Sequence, residues 1–304
     1  MDAGKTQSYV AAEAQVNGQE ALVKISRYLM VSLMAAFLVA AVLGGQAQAD
    51  RASAHYHKAL AFKRQGKLDE AIKALHLALE NREDYAAAHH SLGMLYRQQG
   101  NHPKAAFHLE RAAKLEPKSS MIQYSLGILY HQMGRKADAI RVLTGAAALA
   151  PKDDTIQFQL GVLLIRQDPN KAIPYLAAAL KVKPQNADYL HMLGLAYRRT
   201  KKLKQALDLM TRASALKEDA KIEFDLGVLY RRMEQPLKAI QHYEKAVQLD
   251  PKFANAYWDL AHVYTQAKRD DEAVGAFQSY LKLAGSSKDA DIARKRIKEL
   301  KKGK

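Results

Sequence analysis

A short pattern returns along most of this chain at a nearly fixed interval, and that interval constrains the fold more than any other feature. Leucine followed by glycine occurs at Leu92-Gly93, Leu126-Gly127, Leu160-Gly161, Leu193-Gly194 and Leu226-Gly227, with glycine spacings of 34, 34, 33 and 33 residues. Three residues after the glycine comes Tyr96, Tyr130, Tyr197 or Tyr230, with Leu164 in that place after Gly161. A second series is Ala71, Ala105, Ala139, Ala172, Ala206, Ala239 and Ala273; a third is Pro117, Pro151, Pro184 and Pro251. Three series in phase mean one supersecondary unit copied in tandem, each copy burying its apolar face only by stacking on its neighbours.

The unit is a pair of helices. Each half carries apolar residues at helical spacing, such as Leu92, Leu95 and Tyr96, or Ala105, Leu109 and Ala112. Small residues at the glycine and alanine positions let the two helices approach closely. Gly66, Gly100 and Gly134 fall between the halves, where a turn needs positive φ. Pro103 and Pro236 fall near the start of second helices, where a missing N–H costs little. The closing prolines restrict the residue before them and stop the second helix.

Period and residues together resemble the tetratricopeptide-repeat family. The resemblance covers units 52–85, 86–119, 120–153, 154–186, 187–219, 220–253 and 254–287, an array within residues 50–287. It implies an all-α fold, a right-handed α-solenoid of helix-turn-helix repeats, closed by a capping helix within 288–304. Unit 1 departs from the pattern with Lys58-Ala59 for Leu-Gly and Phe62 for the tyrosine. Unit 4 is one residue short around Asp168-Pro169 and carries Pro174 early in its second helix, so a local irregularity is expected there. Unit 5 lacks the turn glycine and the closing proline. In the last segment Ser286 and Asp289 form a capping-box-like pair, and Ile292, Ile297 and Leu300 could cover the open end of unit 7. The cationic end, with Lys301, Lys302 and Lys304, suits a helix C-terminus.

Ahead of the array stands a polar segment, 1–27, and then an uncharged one, 28–49. Leu29–Leu43 is almost wholly apolar, Gly44-Gly45 reads as a helix break, and Ala47-Gln48-Ala49 is the small-x-small pattern of a signal-peptide cleavage site. That order reads as a secretory signal. The polar region before it is 27 residues, longer than a signal peptide's, which points to a translation start downstream of Met1. The uncharged stretch is also long enough to span a bilayer, so an uncleaved membrane anchor is the alternative. Lys24 and Arg27 on one side are matched by Arg51, Lys58, Lys63 and Arg64 on the other, so flanking charge does not choose an orientation. A buried helix is the third reading; either of the first two places the repeats outside the cytoplasm of a bacterium, periplasmic or anchored to the inner membrane.

Composition narrows the function classes. The chain holds no cysteine, which excludes disulfides, thiolate metal sites, c-type haem attachment and an N-terminal lipoprotein anchor. The net charge is +16, and residues 1–49 sum to zero, so the whole excess lies in the array and the tail. A basic body attracts nucleic acid, acidic polypeptides or anionic lipid.

The family resemblance implies a concave surface lined by first helices, exposing the second, fifth, ninth, twelfth and thirteenth positions of each unit. Every fifth position in this sequence is a ring: Tyr56, His90, Tyr124, Phe158, His191, Phe224 and Trp258. The ninth positions are Leu60, Met94, Ile128, Val162, Leu195, Val228 and His262. The twelfth and thirteenth include Lys63, Arg64, Arg97, His131, Arg166, Arg198, Arg199, Arg231 and Arg232. Across the five sets nine Lys or Arg, Lys221 among them, stand against one acid, Asp188, where the whole chain runs 47 to 31. An aromatic floor edged by arginines can bury apolar side chains and pair with carboxylates or phosphates. These rings and cations are the expected partner-binding residues, and the expected partner is a protein or peptide carrying acidic and apolar residues. The plainer alternative is that the rings pack against the neighbouring unit.

The family's chaperone-tail clamp, a lysine at position five with asparagine at nine, is not matched. Nor is the asparagine ladder of its sugar-transferase superhelices, since position six reads His57, Ser91, Ser125, Gln159, Met192, Asp225 and Asp259. No phosphate-binding glycine loop, nucleophile elbow or H-E-x-x-H zinc helix occurs. His55 with His57, and His89 with His90, are too close in sequence to share a helix face, so no metal site and no cofactor are expected. The expectation is therefore a non-enzymatic protein-binding scaffold of the bacterial cell envelope. The alternative is binding of nucleic acid or another anionic polymer through the arginine stripe, which export to the periplasm disfavours.

Overall fold

The computed structural model describes the backbone of residues 3–285 and 288–302, and side chains from Leu29 onward apart from Leu43 and Lys288. Ser286 of the expected capping pair and the terminal Lys304 fall outside the described residues. Every regular element among the described residues is helical. The chain divides into two compact units, residues 1–116 and 117–304.

The first unit holds four helices: α1 (Ala3–Arg64), α2 (Leu68–Asn81), α3 (Ala86–Gln98) and α4 (His102–Leu115). Each packs on the next in sequence order. The C-terminal third of α1 lays Ala52 and Ala59 against α2, whose Ala71, Ala74, Leu75 and Ala78 are buried in turn. The apolar run of α1 behaves differently. Leu29, Leu33, Phe37 and Val42 are all well exposed, Phe37 at 79%, so no described residue covers them. The break expected at Gly44-Gly45 does not occur, and α1 runs through both. A glycine inside a helix costs only about 1 kcal/mol. Alanine-rich sequence on either side, with no proline or competing cap, propagates the helix across the pair.

The second unit continues the alternation with α5 (Ser120–Gln132), α6 (Lys136–Leu149), α7 (Asp154–Leu164), α8 (Pro169–Val182), α9 (Ala187–Arg199), α10 (Leu203–Leu216), α11 (Ala220–Arg232), α12 (Pro236–Leu249), α13 (Ala254–Gln266), α14 (Asp270–Ala284) and α15 (Lys288–Lys302). Odd-numbered helices from α5 to α13 are the first helices of their hairpins. Within a hairpin the contact is set by the glycine. A Cβ added to Gly127 would stand 2.6 Å from Leu143 Cγ, so hydrogen at that point is what lets α6 lie against α5. Leu143 is fully buried there, a burial worth about 1.5–3 kcal/mol. The core runs along the stack through such residues, from Leu143, Leu160 and Leu176 to Leu190, Met210 and Leu229. It continues through Ile240, Tyr243, Leu260 and Phe277.

The irregularity expected in the 154–186 stretch is present. The helix α7 has 11 residues where α5, α9, α11 and α13 have 13, and α8 carries Pro174 inside it. Asp168 caps α8, its carboxylate accepting from the N–H groups of Asn170 and Lys171 at 3.1 Å. The last helix packs on α14 through Ala290, Ala293, Ile297 and Leu300, a single helical stripe. Ile292, expected in that stripe, lies off it and is 38% exposed.

The turn register shows a second substitution pattern. Gly66, Gly100 and Gly134 take φ of 74–75°, and the same turn in the later hairpins is made by Lys201, Glu234 and Lys268 at φ of 58–62°. Side-chained residues in that region cost roughly 1–2 kcal/mol. Glu234→Gly should therefore stabilise the chain by about 0.5–1 kcal/mol after the entropy cost of glycine. Gly127→Ala, which must push Leu143 aside, should lose about 1–3 kcal/mol. Urea midpoints at pH 7 test both signs.

Candidate functional site

Positions five, nine, twelve and thirteen of a first helix are three or four residues apart and share one face. In the second unit these faces lie side by side, because α9 approaches α11 and α11 approaches α13 directly. They form a wall of first helices.

The expected ring residues occupy this wall only in part. Tyr124 is half-buried on the core. Phe158 packs on Tyr189, with ring centroids 4.5 Å apart. Phe224 sits against Phe253 and Tyr243 at 4.9 and 5.6 Å. Trp258 is wedged among His262, Tyr280 and Phe277 at 4.6–5.9 Å. His191 departs furthest from expectation. It is 6% exposed, and its Nε2 lies 2.8 Å from Asp225 Oδ2, so it belongs to the joint between α9 and α11 and not to an open floor. In the first unit Tyr56 packs on Tyr85 and His90 is half-buried. Burial, then the neighbouring charges of Lys63 and Arg97, push the His90 pKa down. No fifth-position ring is exposed, so each offers a partner an edge at most.

The arginines divide into two classes. Arg198 is 14% exposed and pairs with Asp225 at 2.9 Å; Arg231 pairs with Asp259 at 3.4 Å. Each bond joins position twelve of one repeat to position six of the next. Burial, with Arg232 and Arg199 nearby, lowers the Arg198 pKa, although Asp225 opposes the shift. Burial raises that of Asp259 despite Arg231 beside it. The tally of nine cations against one acid did not include position six, where Asp225 and Asp259 stand. An aspartate 27 or 28 residues after a position-twelve arginine was the signal for these joints. Arg166, Arg199 and Arg232, by contrast, are exposed and have no ion-pair partner among the described residues, and His131 is exposed as well. Lys63 and Arg64 are exposed on α1, with Arg97 half-buried on α3.

Two polar clusters lie away from the wall. Glu223 is fully buried and accepts from His242 Nδ1 and Lys245 Nζ at 2.7 Å and from Ser214 Oγ at 2.6 Å. Burial alone would raise its pKa, but these hydrogen bonds hold it at about 2. The serine donates to the carboxylate and not to the histidine, so the trio fastens α10, α11 and α12 and contains no activated nucleophile. In the first unit His89 Nε2 donates to the Glu83 carbonyl at 2.9 Å, which leaves its Nδ1 to accept from His108 Nδ1 at 3.0 Å. His76 meets the Tyr96 hydroxyl at 3.0 Å, and Tyr96 stacks on His108. Burial, then the neighbouring His89, His76 and Lys104, depress His108 to about 4. Among the described residues no group of three His, Cys, Asp or Glu is arranged to hold a metal.

The comparisons with known proteins agree with this architecture. Profiles of the tetratricopeptide repeat match residues 50–118, 90–154 and 159–220, and a TPR-repeat profile matches 227–267. The chain belongs to the tetratricopeptide-repeat family. Protein O-mannosyl-transferase TMTC3 of Homo sapiens is 30% identical over 104 residues, 34% of this chain and 11% of that protein, so the chain spans about a tenth of this relative. Among solved structures, a tetratricopeptide repeat protein from Parabacteroides merdae superposes with TM-score 0.58 at 17% identity, covering 83% of this chain and 99% of that one. YrrB, described as a TPR protein with an unusual peptide-binding site, gives 0.57 at 19%, covering 65% and 99%. MamA from Desulfovibrio magneticus RS-1 gives 0.52 at 24%, covering 55% and 96%. Identities this low show the shared fold. A TPR array of this kind is a protein–protein interaction scaffold, and its partner is a protein or peptide.

Two outcomes follow from the site. Asp225→Asn strands Arg198 in a buried joint and should cost about 3 kcal/mol, whereas Arg232→Gln, in solvent, should stay within about 0.5 kcal/mol. Thermal unfolding distinguishes them. A histidine in the unfolded chain titrates near 6.5, well above folded His108, so acidification protonates the unfolded state first. The stability that His108 contributes should be fully present above pH 6.5 and fall by about 3 kcal/mol as pH drops to 4. His108→Phe, which keeps the stack on Tyr96, should make the slope shallower in urea titrations, with the lowered His76, His89, His90 and His262 accounting for what is left.

Proposed function

We propose that this chain is a non-enzymatic scaffold of the bacterial cell envelope, exported or anchored through residues 28–49. It holds a peptide with acidic and apolar residues along the wall of first helices. The observation that carries this reading is the set of exposed arginines Arg166, Arg199 and Arg232 on one wall, without ion-pair partners among the described residues and beside the edges of half-buried rings. Arginines without internal carboxylates, next to apolar surface, suit a partner that brings both acids and apolar side chains. YrrB, of the same fold, carries a peptide-binding site by its description. The polar clusters support a non-catalytic role, because each is spent on joining helices.

Placement in the envelope draws on α1. Its uncharged stretch of 22 residues would be about 33 Å long as helix, close to the hydrocarbon thickness of a bilayer. Its apolar side chains face outward on all sides, as a lipid-embedded helix requires. Binding of nucleic acid is the weaker reading, since stacking of bases needs ring faces that packing already occupies.

The test is affinity capture from detergent-solubilised envelopes with the wild-type chain and with an Arg166→Glu, Arg199→Glu, Arg232→Glu variant. All three positions are exposed, so circular dichroism should be unchanged. A specific protein should be recovered by the wild type and lost by the variant. Equal recovery by both would remove the wall from the explanation.

A further inference from the structure

The wall carries one pocket that the repeat pattern itself marks as unfinished. It has a volume of about 280 Å³ and lies where the end of α5 and the start of α6 face the second half of α7. His131, Lys136 and Arg166 bring three basic groups to it, and Gln159 and Gln167 bring two amides. Val162 and Leu163 supply an apolar side. Among the described residues no carboxylate lines it, and none of the three basic side chains is ion-paired. The acids adjacent in sequence are already engaged. Asp138 is bound by Arg135 and Arg141, and Asp168 caps α8 and pairs with Lys171.

Comparison of successive joints identifies the missing charge. Between α9 and α11 the position-twelve cation Arg198 meets the position-six acid Asp225, and between α11 and α13 Arg231 meets Asp259. Between α5 and α7 position twelve is His131 and position six is Gln159, a neutral amide. The same register thus holds a built-in carboxylate at two joints, an apolar pair, Ile165 and Met192, between α7 and α9, and basic groups without an acid at this one. The early end of α7, at Leu164, turns Arg166 and Gln167 into the pocket rim instead of a last helical turn.

We infer that this pocket receives a glutamate or aspartate side chain of the bound polypeptide, its carboxylate bringing to the basic groups the charge that Asp225 and Asp259 bring to the later joints. The inference rests on the peptide-binding reading above and assigns one contact within it. Arg166 and Lys136 neutralise the carboxylate, the glutamine amides donate to its oxygens, and Val162 and Leu163 cover the methylene stem, which favours glutamate over aspartate. Charge-assisted bonds of this kind exceed neutral ones roughly twofold in strength.

The experiment selects displayed random peptides on the immobilised full-length chain in detergent micelles. The best peptide is then synthesised in its native form and with its acid changed to the amide. Enrichment of a glutamate flanked by apolar residues is expected, with a Kd about tenfold weaker for the glutamine version. Against the Arg166→Gln, Lys136→Gln chain the two peptides should bind equally, because the acid has lost its site. Arg199→Gln should weaken both peptides and preserve the difference between them. If the glutamine peptide is still penalised on the Arg166→Gln, Lys136→Gln chain, the acid docks elsewhere; the pocket assignment is then overturned while peptide binding stands. Selected peptides without acidic enrichment also overturn the assignment. Selection of no peptide at all counts against the wall as a peptide site, and the pocket falls with it.

Discussion

The two helices of a hairpin touch where the first carries glycine and the second a bulky side chain, and the rest of the stack is built outward from that contact. The bulky partner varies, being Leu143, Leu176, Met210 and Tyr243 in four hairpins of the second unit, while the glycine facing it does not. Because the helices meet this closely, the second helix still has a face left for the first helix of the next repeat. Within the second unit each hairpin therefore packs on the next, and buried residues follow the stack from Leu143 to Leu229 and from Ile240 to Phe277. Repeat stability in such a stack is local, a sum of hairpin and joint terms, so each joint can be altered without dissolving the others.

The joints decide which wall charges are available. A cation at position twelve is part of the architecture when the next repeat offers an acid at position six, and available for binding when it does not. Arg198 and Arg231 belong to the first group, while the arginines one position later, Arg166, Arg199 and Arg232, stay exposed. The same residue type on the same face thus performs two jobs, and local pairing separates them. The basic character of the wall is milder than a count of arginines suggests, and it is concentrated at fewer points.

Much of the fold was legible in the sequence because it depends on spacing. The Leu-Gly, alanine and proline series locate paired helices, and the shortened stretch around Asp168-Pro169 correctly marked an irregular hairpin. What depends on a partner from another element was harder to read. The ring at position five looks exposed within its own helix, yet Tyr189 on α9, Phe253 just before α13 and Tyr280 on α14 cover Phe158, Phe224 and Trp258. His191 and Arg198 were withdrawn from the wall by one aspartate in the following repeat. Gly44-Gly45 misled for a different reason: glycine weakens a helix but does not end one unless a competing turn is available.

The unbroken course of α1 has a mechanical consequence. The apolar stretch passes into the first repeat with no flexible tether, since residues 44–51 are helix throughout. On the proposed membrane placement, tilt of the embedded segment turns that first hairpin as a lever turns its load, and rotation about the helix axis dials which side of the hairpin meets the lipid headgroups. A tethered array would search a hemisphere for its partner. A stalk holds its hairpin at one height, near ten residues or about 15 Å beyond the last apolar side chain, and gives up search volume for a defined stance.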